Sequence, residues 1–145
     1  MQGMEFIQLA EELADGSTEA HRRSAVSRAY YGAFHEAKDA LQKHNVPLFG
    51  SEKAHEQVYR YLNNSKDQGL QEAATLLGSL RTARIAADYR TEKPLPAGKQ
   101  PQANVKMAQD AVAKIKASPL AQKTAESLRK ILLEYASLMK WGKIS

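Results

Sequence analysis

Residues 22–41 read RRSAVSRAYYGAFHEAKDAL, and the spacing within them decides the fold class. Tyr30, Phe34, Ala37 and Leu41 recur at i, i+4, i+7 and i+11, a continuous apolar stripe at the period of an α-helix. Such a stripe pins a helix into a core. On roughly the opposite side Arg28, Tyr31 and His35 follow at i, i+3 and i+7, with Ser24 and Asp39 extending the row. Gly32 lies in that row, where a missing side chain lets another backbone or a ligand come close. One face therefore holds the helix, and the other gathers a cation, a phenol and an imidazole.

A second stretch repeats the arrangement. In residues 80–90, LRTARIAADYR, the charges Arg81, Arg84 and Asp88 also stand at i, i+3 and i+7. Leu70, Ala74 and Leu77 lead into this row, so the charges continue a face that begins apolar. An unpaired charge there is expensive, which predicts that Arg84 and Asp88 are paired and partly buried.

Outward from these two helices the chain reads as helix throughout. Residues 3–14 place Phe6, Leu9, Ala10 and Leu13 at helical spacing, and Asp15-Gly16 ends that helix. Ser17 or Thr18 caps the long second helix, which runs to about His44 before Pro47. Ser51 caps a third helix carrying Ala54, Val58, Tyr61 and Leu62. The fourth spans 67–90. Pro94, Pro96, Gly98 and Pro101 then mark a loop over 91–102, placed where a lid would lie. A fifth helix covers 103–117 with Val105, Ala108, Val112 and Ile115 inward, and Ser118-Pro119 restarts a last one. That helix, over 119–142, aligns Leu128, Ile131, Leu132, Tyr135, Leu138 and Met139, with Lys123, Lys130 and Lys140 on its other side. The fold class is all-α, an antiparallel up-and-down bundle of five to six helices in one domain over 1–145.

A chain of 145 residues buries about 68–70% of its extended surface, enough for a single core. There is no cysteine, so disulfides and thiolate metal sites are excluded. The four histidines have no zinc-site spacing, and neither a phosphate-binding glycine loop nor a nucleophile elbow occurs. No metal and no cofactor are expected. No stretch has the length and apolarity of a membrane span, and no secretory signal is visible, so the expected location is cytoplasmic. The net charge of +5 is uneven. Residues 1–90 hold 11 Lys/Arg against 12 Asp/Glu, whereas residues 91–145 hold 10 against 4. The basic last third suits either solubility or a phosphate-bearing partner.

The stretches SRAYYGAFHEAKDAL and LRTARIAADY, in that order on the second and fourth helices, resemble the HEPN domain superfamily. The likeness is closest to its short stand-alone prokaryotic branch, where an RAYY…FH helix and an R…ADY helix recur. It covers residues 5–117, and Pro119 to Ser145 reads as an added helix. The resemblance implies a bundle that forms a homodimer with its fourth helices facing across a cleft. It also implies a toxin-like metal-independent ribonuclease, paired with an antitoxin of nucleotidyltransferase type or placed in phage defence. Other members of the superfamily are silent and bind RNA, nucleotides or partners.

The nuclease members carry an arginine, four to six intervening residues and then a histidine on the late helix. Here Ile85 follows Arg84, Tyr89 stands where histidine is expected, and no histidine follows His55. Cleavage through a 2′-hydroxyl needs a base near neutral pKa and a cation for the phosphate. His35 fills the first role only if the second and fourth helices bring it beside Arg84. The pair Arg28 and His35 has the family's spacing, but on the wrong helix.

The expectation is a polar groove formed by Arg28, Tyr31, His35, Arg81, Arg84, Asp88 and Tyr89. Arg84, His35, Asp88 and Tyr89 are the catalytic candidates. Arg28, Tyr31 and Arg81, with Lys123 and Lys130 of the last helix, are candidates for RNA or nucleotide binding. Dimerisation is expected through the same faces, since Gly32, Ala74 and Gly78 lie near them. The alternative is a catalytically inactive interaction module, in which the groove is a salt-bridge network supporting assembly.

Overall fold

The structure, a computed structural model, describes residues 2–92, 100–122 and 125–141. It contains α1 (Gly3–Ala14), α2 (Glu19–Gln42), α3 (Lys53–Asn63), α4 (Gln68–Tyr89), α5 (Gln100–Ala117) and α6 (Glu126–Leu138), with a 3-10 turn at Pro119–Ala121. No strand occurs among the described residues, so the chain is the all-α bundle that its periodicity predicts. Among the described residues no helix is long and apolar enough to cross a membrane.

Helix starts follow local chemistry. Thr18 Oγ1 accepts from the His21 amide at 3.1 Å, and the Asp67 carboxylate accepts from the Leu70 amide at 3.0 Å. Each cap satisfies an amide that the helix itself leaves open, worth about 1 kcal/mol. Pro101 sits in the first turn of α5, where its missing N–H costs nothing. The fifth helix therefore begins at Gln100, earlier than expected, and residues 93–99 of the candidate lid lie outside the described residues.

The inward stripes of α2, α3, α4 and α5 are buried as their spacing predicts, Tyr30, Phe34, Ala37 and Leu41 among them. Two corrections concern the ends of the chain. On α1 the buried side is Gly3, Ile7, Ala10 and Ala14, one residue round from the expected one, with Phe6, Leu9 and Leu13 only half-buried. The last helix is not continuous over 119–142: a single 3-10 turn follows Pro119, and α6 restarts at Glu126. Leu138 is 77% exposed rather than inward. Lys140 adopts φ 61°, and the Trp141 amide bonds Ala136 O at 2.8 Å, which reverses the chain. Trp141 then takes the place beside Tyr61 and Tyr135, at centroid distances of 5.0 and 5.5 Å.

Contacts between α1 and α2, α2 and α4, and α4 and α5 run in opposite directions, from Met4–Glu36 through Arg23–Ala87 to Glu72–Lys114. At the α1–α2 crossing two glycines meet. A Cβ built on Gly32 would stand 2.5 Å from Ile7 Cγ1 and 2.7 Å from Gly3 O. The glycine in the polar row thus admits another backbone, that of α1, and it sets the rotation of α2. Arg23 Nη1 donates to Ala87 O at 2.9 Å and closes the end of α4. These contacts fix which side chains of α2 and α4 face each other.

Candidate functional site

Tyr31 and Arg84 meet where α2 and α4 cross. Arg84 Nη2 donates to the Tyr31 hydroxyl, and its guanidinium carbon lies 4.9 Å over the Tyr31 ring and 5.5 Å from the Tyr89 ring. Arg84 Nε is 3.0 Å from Asp88 Oδ2, an ion pair in which the Nε–H itself points off line. Ser27 Oγ donates to the same carboxylate oxygen at 3.2 Å. The Arg84 side chain is 11% exposed and that of Asp88 30%. The predicted pair therefore exists at the rim of the core. Arg84 has a counter-ion and a hydrogen-bond acceptor, and burial pushes the Tyr31 phenol up from its ordinary pKa.

The expected groove divides here. His35 stacks on Phe6 of α1 at 5.4 Å, and the Arg28 guanidinium carbon lies 5.9 Å from the centroid of the same ring. Tyr31 stands between them and Arg84, its ring 6.3 Å from that of His35. No hydrogen bond or ring contact joins His35 or Arg28 to Arg84 among the described residues. The row on α2 spans too wide an arc for one partner helix, so α1 takes part of it and α4 the rest. Burial lowers the His35 pKa, and Lys38 lowers it further. Lys130 is exposed on α6 in a shallow depression shared with Glu126 and Glu134, a surface of mixed sign. Lys123 lies outside the described residues.

One turn before Arg84, a cavity of about 350 Å³ opens between α2, α3 and α4. Phe34, Val58, Leu77 and Ile85 supply apolar wall, and Arg81, His55 and Tyr30 supply polar groups. Tyr59, 38% exposed, and Ile85, 37% exposed, stand at its edge. Gly78 lines it as well, and a Cβ there would meet only the Tyr59 ring, at 3.5 Å. Arg81 is half-buried and has no hydrogen bond or ion pair among the described residues. Glu56, on the same wall, is turned to Arg60 at 2.9 Å.

His55 is 8% exposed and stacks on Phe34 at a centroid distance of 4.1 Å. Its Nδ1 is 2.5 Å from the Tyr30 hydroxyl. Burial pushes the Tyr30 phenol far up, so the phenol keeps its proton and donates it to Nδ1. The imidazole proton is thereby assigned to Nε2, whose nearest anion, Glu52 Oε2, is 3.7 Å away, beyond a hydrogen bond. Burial lowers the His55 pKa against the opposing pull of Glu52, and the ring is neutral at pH 7. Sequence reading passed over His55. The signal was its place between Ala54 and Val58, at the inward edge of α3's apolar face.

The small residues expected to open a dimer contact have other tasks. Gly32 is filled by α1 and Ala74 is in the core, which leaves Gly78, facing the cavity. No group of three or more His, Asp or Glu side chains suited to a metal ion occurs among the described residues. Comparison with family models, curated proteins and solved structures finds no match to this chain.

Proposed function

We propose that this protein is an RNA- or nucleotide-binding helical module working through the face made by α2, α3 and α4. The observation that carries the reading is Arg81: a half-buried guanidinium with no counter-ion among the described residues, at the wall of a cavity that also holds a neutral imidazole. Leaving a cation half-desolvated and unpaired costs stability, and an anionic ligand removes that cost. The resemblance to HEPN proteins supports the same class of partner. It also suggests the setting, a toxin-like component beside a nucleotidyltransferase-type antitoxin or within phage defence.

Cleavage of RNA at Arg84 is the weaker form of this reading. His35 stacks on Phe6 and makes no hydrogen bond or ring contact with Arg84, and Arg84 is already neutralised by Asp88. Binding without cleavage fits the arrangement better. The test is fluorescence anisotropy of a labelled single-stranded RNA with the full chain, run at low and physiological salt. A phosphate-driven complex weakens steeply as salt rises. No complex at low salt overturns the reading. Incubating the same RNA in chelator decides the enzymatic form, since cleavage lost in Arg84→Ala and His35→Ala would restore it.

A second reading has its own observation. Tyr89 is 68% exposed one turn after Ile85 on α4, and Ile85 shares the cavity edge with Tyr59, so exposed apolar and aromatic side chains occur along this face. An interaction module that assembles there, as a homodimer or on a protein partner, fits that surface. Light scattering at micromolar concentration distinguishes a self-associating chain from a monomer.

A further inference from the structure

The cavity between α2, α3 and α4 has a narrower chemistry than the face around it. Two of its polar groups are donors without a hydrogen-bonded acceptor: Arg81 carries a fixed cation, and the Nε2–H of His55 has no hydrogen-bond partner among the described residues, the Glu52 carboxylate standing 3.7 Å away. The carboxylate of Glu56 is held by Arg60, and the Tyr30 hydroxyl spends its proton on Nδ1. A bound group must therefore bring acceptor oxygens. The Thr82 hydroxyl donates to Gly78 O at 3.1 Å, and the rest of the wall is largely apolar, with the Tyr59 ring and Ile85 at the opening. The ligand's other half must therefore be flat or apolar. The volume of about 350 Å³ falls within the range of small-ligand sites, about 300–1,000 Å³.

We propose that this cavity receives one nucleotide, its phosphate on Arg81 and on the Nε2–H of His55, its base against Tyr59 and Ile85. The proposal rests on the reading of the protein as an RNA or nucleotide binder, and it specifies where a single nucleotide leaves the strand. Tyr30 is a positioning residue: its O–H fixes the tautomer that makes His55 a donor rather than a base. Gly78 keeps the entrance open, since any larger side chain there grows into the space beside Tyr59.

The chemistry is shared by a free nucleoside monophosphate and by one residue of a strand, and the experiment separates them. Uridine and adenosine monophosphates are titrated by calorimetry, and a labelled single-stranded oligonucleotide by anisotropy, against the full chain, Arg81→Gln, His55→Phe and Gly78→Leu. Arg81→Gln is expected to weaken binding about tenfold or more, the factor carried by one charge-assisted hydrogen bond. His55→Phe removes the donor and keeps the stacked ring, and it is expected to lower affinity about fivefold to tenfold. Gly78→Leu blocks the entrance while circular dichroism reports the fold. Tyr30→Phe frees Nδ1 to take the imidazole proton, and the loss of affinity it causes should shrink as the pH falls and His55 becomes doubly protonated.

Binding of both monophosphate and oligonucleotide, weakened by these changes, identifies a nucleotide site. Binding of the oligonucleotide alone, with the same sensitivities, places one strand residue in the cavity. An oligonucleotide complex that Arg81→Gln and Gly78→Leu leave unchanged overturns the cavity proposal and leaves RNA binding standing elsewhere on the face. Absence of any complex with the folded chain overturns both.

Discussion

Arg81 and Arg84 stand one turn apart on α4 and have opposite situations. Arg84 has a carboxylate at 3.0 Å, the Tyr31 hydroxyl and two aromatic faces. Arg81 has open space and no partner among the described residues. The side chain that looked most functional is thus the one the fold already pairs with an anion. A half-buried charge that is paired supports the fold, whereas an unpaired one costs stability until an anion meets it. Stability and binding should separate between the two residues.

The broadest way to break the comparison is to move α2, on whose rotation both sites depend. Gly32→Ala drives a methyl group into Ile7 and the Gly3 backbone, at separations that packed atoms do not adopt. We expect a loss of about 3 kcal/mol and a fall in Tm of about 10 °C. A melting curve that matches the parent would mean that α1 can slide aside, and the α1–α2 crossing would not fix the site.

The next test sets the two arginines directly against each other. Asp88→Asn strands the 11% exposed Arg84 without its anion, while Asp88 itself keeps some contact with water. The expected cost is about 2 kcal/mol, below the value for a fully buried pair. Arg81→Gln removes no hydrogen bond or ion pair among the described residues, and its stability should stay within about 0.5 kcal/mol of the parent. Equal effects in urea titrations would dissolve the distinction.

Acid sharpens the comparison from the side of the imidazoles. His35 and His55 both have pKa values held below the ordinary 6.5, chiefly by burial. The unfolded chain then binds more protons than the folded one, so stability is full above about pH 6.5 and declines as pH falls through the folded-state values. Around His55 stand Tyr30, Glu52, Arg81, Arg84 and His35, of which only Glu52 opposes the decline. In His55→Gln, where the amide oxygen still accepts from Tyr30, the loss of stability between about pH 7 and pH 5 should be smaller than in the parent. An unchanged pH profile would place the His55 ring in water.

The fold was legible because its stripes are long: Tyr30 to Leu41, Leu70 to Leu77 and Val105 to Ile115 each repeat over several turns, and each is buried. The Arg84–Asp88 pair was legible for the same reason, as an i,i+4 neighbour on one face. The site was less so. Whether Arg28 and His35 turn to α4 or to α1 depends on the Gly3–Gly32 crossing, a contact between helices that periodicity within one helix does not encode. His55 belongs to a third helix, and its partner Tyr30 had already been assigned to the core. Leu138 continued the apolar row of α6, but the reversal at Lys140 put Trp141 in its place.

The smallest expected effect has the opposite sign to the first. Gly78 lies inside α4, and glycine in a helix interior costs up to about 1 kcal/mol relative to alanine. At Gly32 the added methyl group collides with a neighbouring helix. At Gly78 it meets Tyr59 at 3.5 and 3.9 Å, ordinary contact distances. Gly78→Ala should therefore raise stability by about 0.5–1 kcal/mol and Tm by about 2–4 °C. The same substitution narrows the cavity beside Tyr59, so the gain in stability should accompany a loss of space for a ligand. If Gly78→Ala instead lowers Tm, the Tyr59 ring is clamped over the glycine, and the cavity is closed in solution. If it raises Tm, the helix carries a glycine that its own stability does not favour, and the open cavity is the physical reason for it.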